Sequence, residues 1–182
     1  MLQQEGLLSG DDLVDAPDFP MEEVDYGVVI PWKLDLLDRA YTQFVRGEFP
    51  GLERDLQTFR EQEANWLDDY VLFMAIKATQ AGKPWVKWPA PLRDREAEVL
   101  DHFAQEHRPM VDKHTFRQFL FYRQWNHLRD HARQRGVKIM GDIPIFVAHD
   151  SADVWANREL FHLDDKGQPT IVAGVPPDYF SE

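Results

Sequence analysis

Residues 141–155, GDIPIFVAHDSADVW, set Asp142, His149, Asp150 and Asp153 around a short apolar run. Two readings fit acidic groups placed there. In α/β barrels the carboxyl ends of the strands carry the site, because side chains there point into the mouth and loops close over them. Asp142 follows Val137–Met140, where such a strand would end, and Pro144 removes a ladder donor just beyond it. A turn aspartate satisfying nearby amides also explains Asp142. His149, Asp150 and Asp153 are metal-ligating types, yet Ser151 or Asp150 capping a short helix through Trp155 accounts for the same residues. His127 and His131 stand at i, i+4, as zinc-binding histidines do on a helix. Asp130 replaces the glutamate of that arrangement, and no third ligand is evident, so a solvated helix face fits better.

The stretch GVPPDYF, residues 174–180, has a different chemistry. Its prolines stiffen the backbone, while Tyr179 and Phe180 offer flat apolar faces beside the Asp178 carboxylate. A sugar ring suits such a loop, since its axial C–H faces stack on aromatics and its hydroxyls need acceptors. One ring plugging the core is the alternative. No G-x-G-x-x-G, P-loop or G-x-S-x-G occurs, so nucleotide and serine-hydrolase readings have no anchor.

The elements that must position these residues are mostly helices. Val28–Ile30 reads as a short strand or, with Pro31, as the first turn of a helix carrying Leu34, Leu37, Tyr41 and Phe44 to a stop at Gly47 and Pro50. Two further helices are expected over about 52–63 and 65–80, the later one apolar around much of its circumference. Trp85 and Trp88 flank a proline-rich loop, and a helix follows to about residue 107. A long helix over about 110–135 ends on Arg133, Arg135 and the left-handed stop Gly136. Beyond it, VKIMGDIPIFVA reads as a buried strand carried onward by a loop, because its β-branched and apolar residues do not alternate with polar ones. Residues 161–174 then read as a small hairpin turning at Asp165–Lys166–Gly167. A helix, a glycine stop and a buried strand give the rhythm of an α/β fold. We divide the sequence into a mainly helical region, 1–136, and a strand, hairpin and loop region, 137–182.

Composition narrows the partners. A formal charge of −12 argues against a nucleic-acid backbone or an anionic membrane and suits a neutral or cationic ligand. With 43% hydrophobic residues and six tryptophans, the 182-residue chain has ample material for a core. Cysteine is absent, and the N-terminal stretch lacks the charge and apolar pattern of a secretion signal. No apolar run reaches membrane-spanning length, and the expectation is a cytoplasmic protein needing no cofactor or metal.

The block GDIPIFVAHDSADVWANRELFHLDDKGQPTIVAGVPPDYFS resembles the amylomaltases, bacterial 4-α-glucanotransferases of glycoside hydrolase family 77. VDYGVVIPWK, NWLDDYVLFMAIK, WPAPLRDRE and FYRQW extend the likeness over nearly the whole chain. Arg158 departs from it, where proline is common, and is expected on a surface turn. The resemblance implies part of a (β/α)8 TIM barrel with a large helical insertion. It implies transfer of an α-1,4-glucan segment between malto-oligosaccharides by a retaining double displacement. Asp142 would match a strand-end aspartate near the donor sugar, and Asp178, Tyr179 and Phe180 a loop over the glucan groove. The family's catalytic carboxylates have no counterpart in these 182 residues, so the chain alone is expected to be inactive. A non-catalytic glucan-binding or helper chain of the same fold is the alternative.

Overall fold

The computed structural model describes residues 1–171 and Gly174. Helix α1 spans Tyr26–Arg46 and begins earlier than its sequence pattern suggests. Asp25 has extended backbone and its carboxylate accepts from the Val28 amide at 3.3 Å. That cap recruits Val28–Ile30 into the first turns of the helix instead of a strand. Pro31 therefore lies inside α1, and without an N–H it leaves the Gly27 carbonyl short of its helical partner. At the far end the Gly47 amide donates to the Gln43 carbonyl at 2.9 Å, and any Cβ on Gly47 would collide with the Phe49 ring.

Helix α2 runs unbroken over Pro50–Thr79 where two helices were expected. Glu63 and Ala64, at the supposed break, are good helix formers with neither glycine nor proline nearby. Its end is closed by Gly82, at φ +74°, whose amide reaches the Lys77 carbonyl at 2.9 Å. A 3-10 turn at Trp85–Lys87, α3 (Ala90–Arg93) and α4 (Ala97–Glu106) follow. Helix α5 covers Arg108–Gln134 and stops at Gly136, at φ +69°, as the sequence predicts. The last helix, α6, is Ala152–Ala156.

The chain forms two compact units. The first comprises residues 1–63 and 112–131. Leu36 and Ala40 of α1, Leu56 and Phe59 of α2, and Phe116, Phe119 and Leu120 of α5 are its buried apolar residues, with Leu7 and Leu8 from the N-terminal segment. Phe44 stacks on Phe116 with ring centres 4.8 Å apart. Asp38 pairs with Lys113 at 3.1 Å and Arg117 at 2.5 Å, and Arg123 pairs with Glu5 at 2.6 Å. Burial pushes the Asp38 carboxyl up, but the hydrogen bonds and charges of Arg117 and Lys113 outweigh it and hold the group below its ordinary value.

The second unit comprises residues 64–111 and the described residues from 132 onward. Its core gathers Phe73, Ile76, Trp85, Trp88, Phe103 and Trp155. Burying an indole also buries an N–H that must find an acceptor. Trp85 donates to the His149 carbonyl at 2.7 Å, Trp88 to the Lys83 carbonyl at 2.9 Å, and Trp155 to the Leu92 carbonyl at 3.1 Å. Phe73, Trp88 and Trp155 meet mutually, with ring centres 5.2–5.8 Å apart. Compactness thus divides the chain across α2 and α5, not at the change of sequence character after residue 136.

The expected barrel strand is unpaired among the described residues. Residues 137–148 carry no strand assignment and are exposed, with Met140 95%, Ile143 84% and Ile145 87% accessible. An extended segment becomes a strand only when a neighbour accepts and donates its ladder bonds. Among the described residues no strand is present, and the α/β character expected from the sequence is absent from them. The hairpin is reduced to one antiparallel bridge between Leu163 and Pro169. Its turn lies at Asp164–Gly167: the Gly167 amide donates to the Asp164 carbonyl at 2.9 Å, and Asp164 Oδ1 accepts from Lys166 and Gln168 at 2.9 and 2.8 Å.

Candidate functional site

The segment carrying Asp142 is anchored from behind by its neighbours in sequence. His149 Nε2 lies 2.7 Å from the Gly167 carbonyl, and the His149 carbonyl receives the Trp85 indole N–H. Asp150 accepts from the Trp85 amide at 3.2 Å and pairs with Lys77. Ser151 accepts from the Val154 amide at 3.3 Å and so caps α6, with Asp153 in its first turn. These three acidic and imidazole groups therefore hold a turn and a helix start. Among the described residues no three His, Asp or Glu side chains gather as metal ligands, and His127 and His131 lie on an exposed stretch of α5.

Gly167 sits at φ +77°, and its Cα faces the six-membered ring of Trp85 so closely that an added Cβ would overlap Cη2 and lie 2.7 Å from Cζ3. Only glycine meets both conditions. Arg158 covers the other approach: its guanidinium lies 4.5 Å from the Trp85 ring centre and bonds Asp94 at 3.1 Å. Arg93 binds the same carboxylate at 2.9 and 2.7 Å. Arg93 first, then Arg158, lowers the Asp94 carboxyl to about 2 against the opposing effect of burial. Arg158 was expected to be an incidental turn residue, and it is instead a stacking and ion-pairing one. Sequence reading missed this because Asp94 and Trp85 are more than sixty positions away.

Asp142 is exposed, and its Oδ1 accepts from the following Ile143 amide at 2.8 Å. Three residues on begins a groove of about 610 Å³, lined mainly by apolar groups including Ile145, Phe146, Val147, Phe161 and Leu163. Asp142 is thus presented at the start of an open apolar segment, and no described side chain fixes it from the far side of a cleft. The other three residues singled out, Asp178, Tyr179 and Phe180, lie outside the described residues.

A sequence model described as 4-alpha-glucanotransferase, of the Glyco_hydro_77 family, matches residues 1–182. A 4-alpha-glucanotransferase of Thermus thermophilus is 49% identical over 169 residues, which is 93% of this chain and 34% of the relative. One from Synechocystis sp. is 43% identical over 181 residues, covering 99% of this chain and 36% of the relative. Among solved structures, an amylomaltase from Streptococcus agalactiae in complex with acarbose superposes with a TM-score of 0.88 at 36% identity, over all of this chain and 36% of that one. The chain spans about a third of the length of these relatives. With the match running from the first residue to the last, at identities far above the level of a shared fold alone, the chain belongs to the 4-alpha-glucanotransferase family, glycoside hydrolase family 77.

Proposed function

We propose that residues 1–182 are the glucan-contacting, helix-rich portion of a 4-α-glucanotransferase that moves α-1,4-linked glucan segments between malto-oligosaccharides. The observation that carries this is the match over the entire chain at up to 49% identity, joined to a structural likeness to an amylomaltase solved with the sugar-like ligand acarbose. In the proposed whole protein, residues 137–140 form a strand of a (β/α)8 barrel with Asp142 just past its end, since a ladder partner is what this apolar, exposed segment lacks. Helices α1 to α5 form its helical insertion.

Retaining transfer uses two carboxyl groups roughly 5–5.5 Å apart, one attacking the anomeric carbon and the other protonating the leaving oxygen. The acid then returns as base, taking the proton from the 4-hydroxyl of an acceptor sugar as that oxygen displaces the enzyme carboxylate. Both groups belong to the two thirds of the relatives to which these residues have no counterpart. Asp142 takes no part in bond-making here. It accepts hydrogen bonds from a donor-sugar hydroxyl, while Tyr179 and Phe180 stack on pyranose faces and Asp178 accepts from their hydroxyls. A covered groove that excludes water favours a sugar hydroxyl as acceptor over hydrolysis. No cofactor or metal is required.

The test is disproportionation of maltotriose by the protein that contains these residues. Asp142→Asn removes a charged acceptor while keeping its shape, and should lower kcat/KM by about tenfold to a hundredfold, the worth of one charge-assisted hydrogen bond. Unchanged kinetics in Asp142→Asn would remove Asp142 from the groove.

A further inference from the structure

Trp66 and Tyr70 stand four residues apart on one face of α2, their ring centres 6.0 Å apart and the planes inclined by 60°. Facing them within the same compact unit are Ser151, Ala152 and Asp153, with Ala156 and Asn157 at the end of α6. The small side chains of Ala152 and Ala156 leave open space between the walls, a cleft of about 330 Å³. That volume is at the lower end of the range for small-molecule sites. Both residues are only half-buried, and both line the opening.

The rim is polar in both senses. Asn65 and Asn157 carry amide donors and acceptors, and Asp69 and Asp153 carry acceptors only. Asp69 is held in place by Arg95 at 2.5 Å, and the Asn157 amide donates to the Asp153 carbonyl at 3.2 Å. Asp69 and Asn157 are therefore oriented before any ligand arrives, which lowers the cost of binding. Two inclined aromatic rings with both donors and acceptors near them suit a neutral, hydroxyl-rich ring. An anion would meet carboxylates on two sides, and a purely apolar ligand would strand the amides.

We propose that this cleft binds one or two glucose units of an α-1,4-glucan, an assignment that rests on the glucan reading of the family given above. A polymeric substrate held here by one stretch would present its other stretches at high local concentration to the rest of the protein.

Six indole N–H signals can be followed by NMR of the whole ¹⁵N-labelled 182-residue chain, with Trp66→Phe identifying the signal of Trp66. Titration with maltotriose and then maltoheptaose should move the Trp66 signal saturably. Tyr70→Ala and Asn157→Ala should each weaken that response by about tenfold. Asn65→Ala, at an exposed position, should weaken it too and serves if Tyr70→Ala fails to fold. Asp142→Asn should leave it in place. A Trp66 signal unmoved by either sugar, or an affinity unchanged in both asparagine variants, would overturn the assignment. In the whole protein that contains these residues, glucan transfer with an unmoved Trp66 signal refutes this cleft alone, and saturable binding here without transfer refutes the activity alone.

Discussion

Replacing Gly167 by alanine separates a backbone effect from a packing effect, because two glycines of this chain share one and differ in the other. Gly167 and Gly82 both sit in the left-handed region, at φ +77° and +74°. Alanine at either costs about 1–2 kcal/mol in backbone strain. At Gly82 nothing lies within 4 Å of the added Cβ, so the cost ends there. At Gly167 the Cβ overlaps Trp85, which is 0% exposed and tied by its indole N–H to the His149 carbonyl. The ring cannot retreat without breaking that bond, so overpacking adds about 1–3 kcal/mol. The expected totals are about 2–5 kcal/mol for Gly167→Ala and about 1–2 kcal/mol for Gly82→Ala. Urea denaturation followed by tryptophan fluorescence measures both, and Trp85→Phe supplies the second side of a double-mutant cycle. In the Trp85→Phe background the Gly167 penalty should fall towards that of Gly82. Equal penalties at the two glycines, or no coupling to Trp85, would refute the reasoning.

Three further outcomes follow from the same contacts. Asp150→Ala leaves the buried Trp85 amide without its acceptor and Lys77 without its partner, and should cost about 1–3 kcal/mol in the same denaturation assay. Burial first, then the charges of Arg117 and Lys113, lower His114 to about 4, so the unfolded chain takes up a proton that the folded one refuses. Stability is therefore lost as pH falls from about 6.5 to about 4, by on the order of 2–3 kcal/mol, and His114→Gln should flatten that window in a pH series of urea melts. Asp94 acts in the same direction in a lower window: its stabilising ion pairs are present above its ordinary value near 3.8 and are lost as pH falls through about 2, which Asp94→Asn would abolish in acid titration.

Much of the helical scaffold was legible because its signals are local. Gly136, two arginines and an apolar stripe defined the end of α5, and Ser151 announced the start of α6. Boundaries failed where the deciding group was a single cap, as at Asp25, or where a break was assumed without a breaker, as within α2. The strand expected at 137–140 is unpaired among the described residues for a different reason. Its composition is that of a strand, but pairing is a property of two segments, and no described segment supplies the second. His149 and Asp150 show the same limit from the other side. Their residue types allowed metal chemistry, and only their bonds to Gly167, Trp85 and Lys77 reveal them as anchors. The Trp66–Tyr70 pair could have been found in the sequence from its i, i+4 spacing, though not the small residues opposite.

The assignment of roles within the family is tested most directly by the products formed from maltotriose incubated with the 182-residue chain alone. With the reacting carboxylates assigned elsewhere in the whole protein, maltotriose should remain unchanged while still perturbing the chain's tryptophan signals. Glucose and longer maltodextrins appearing over time would contradict it, and would place nucleophile and acid among these 182 residues.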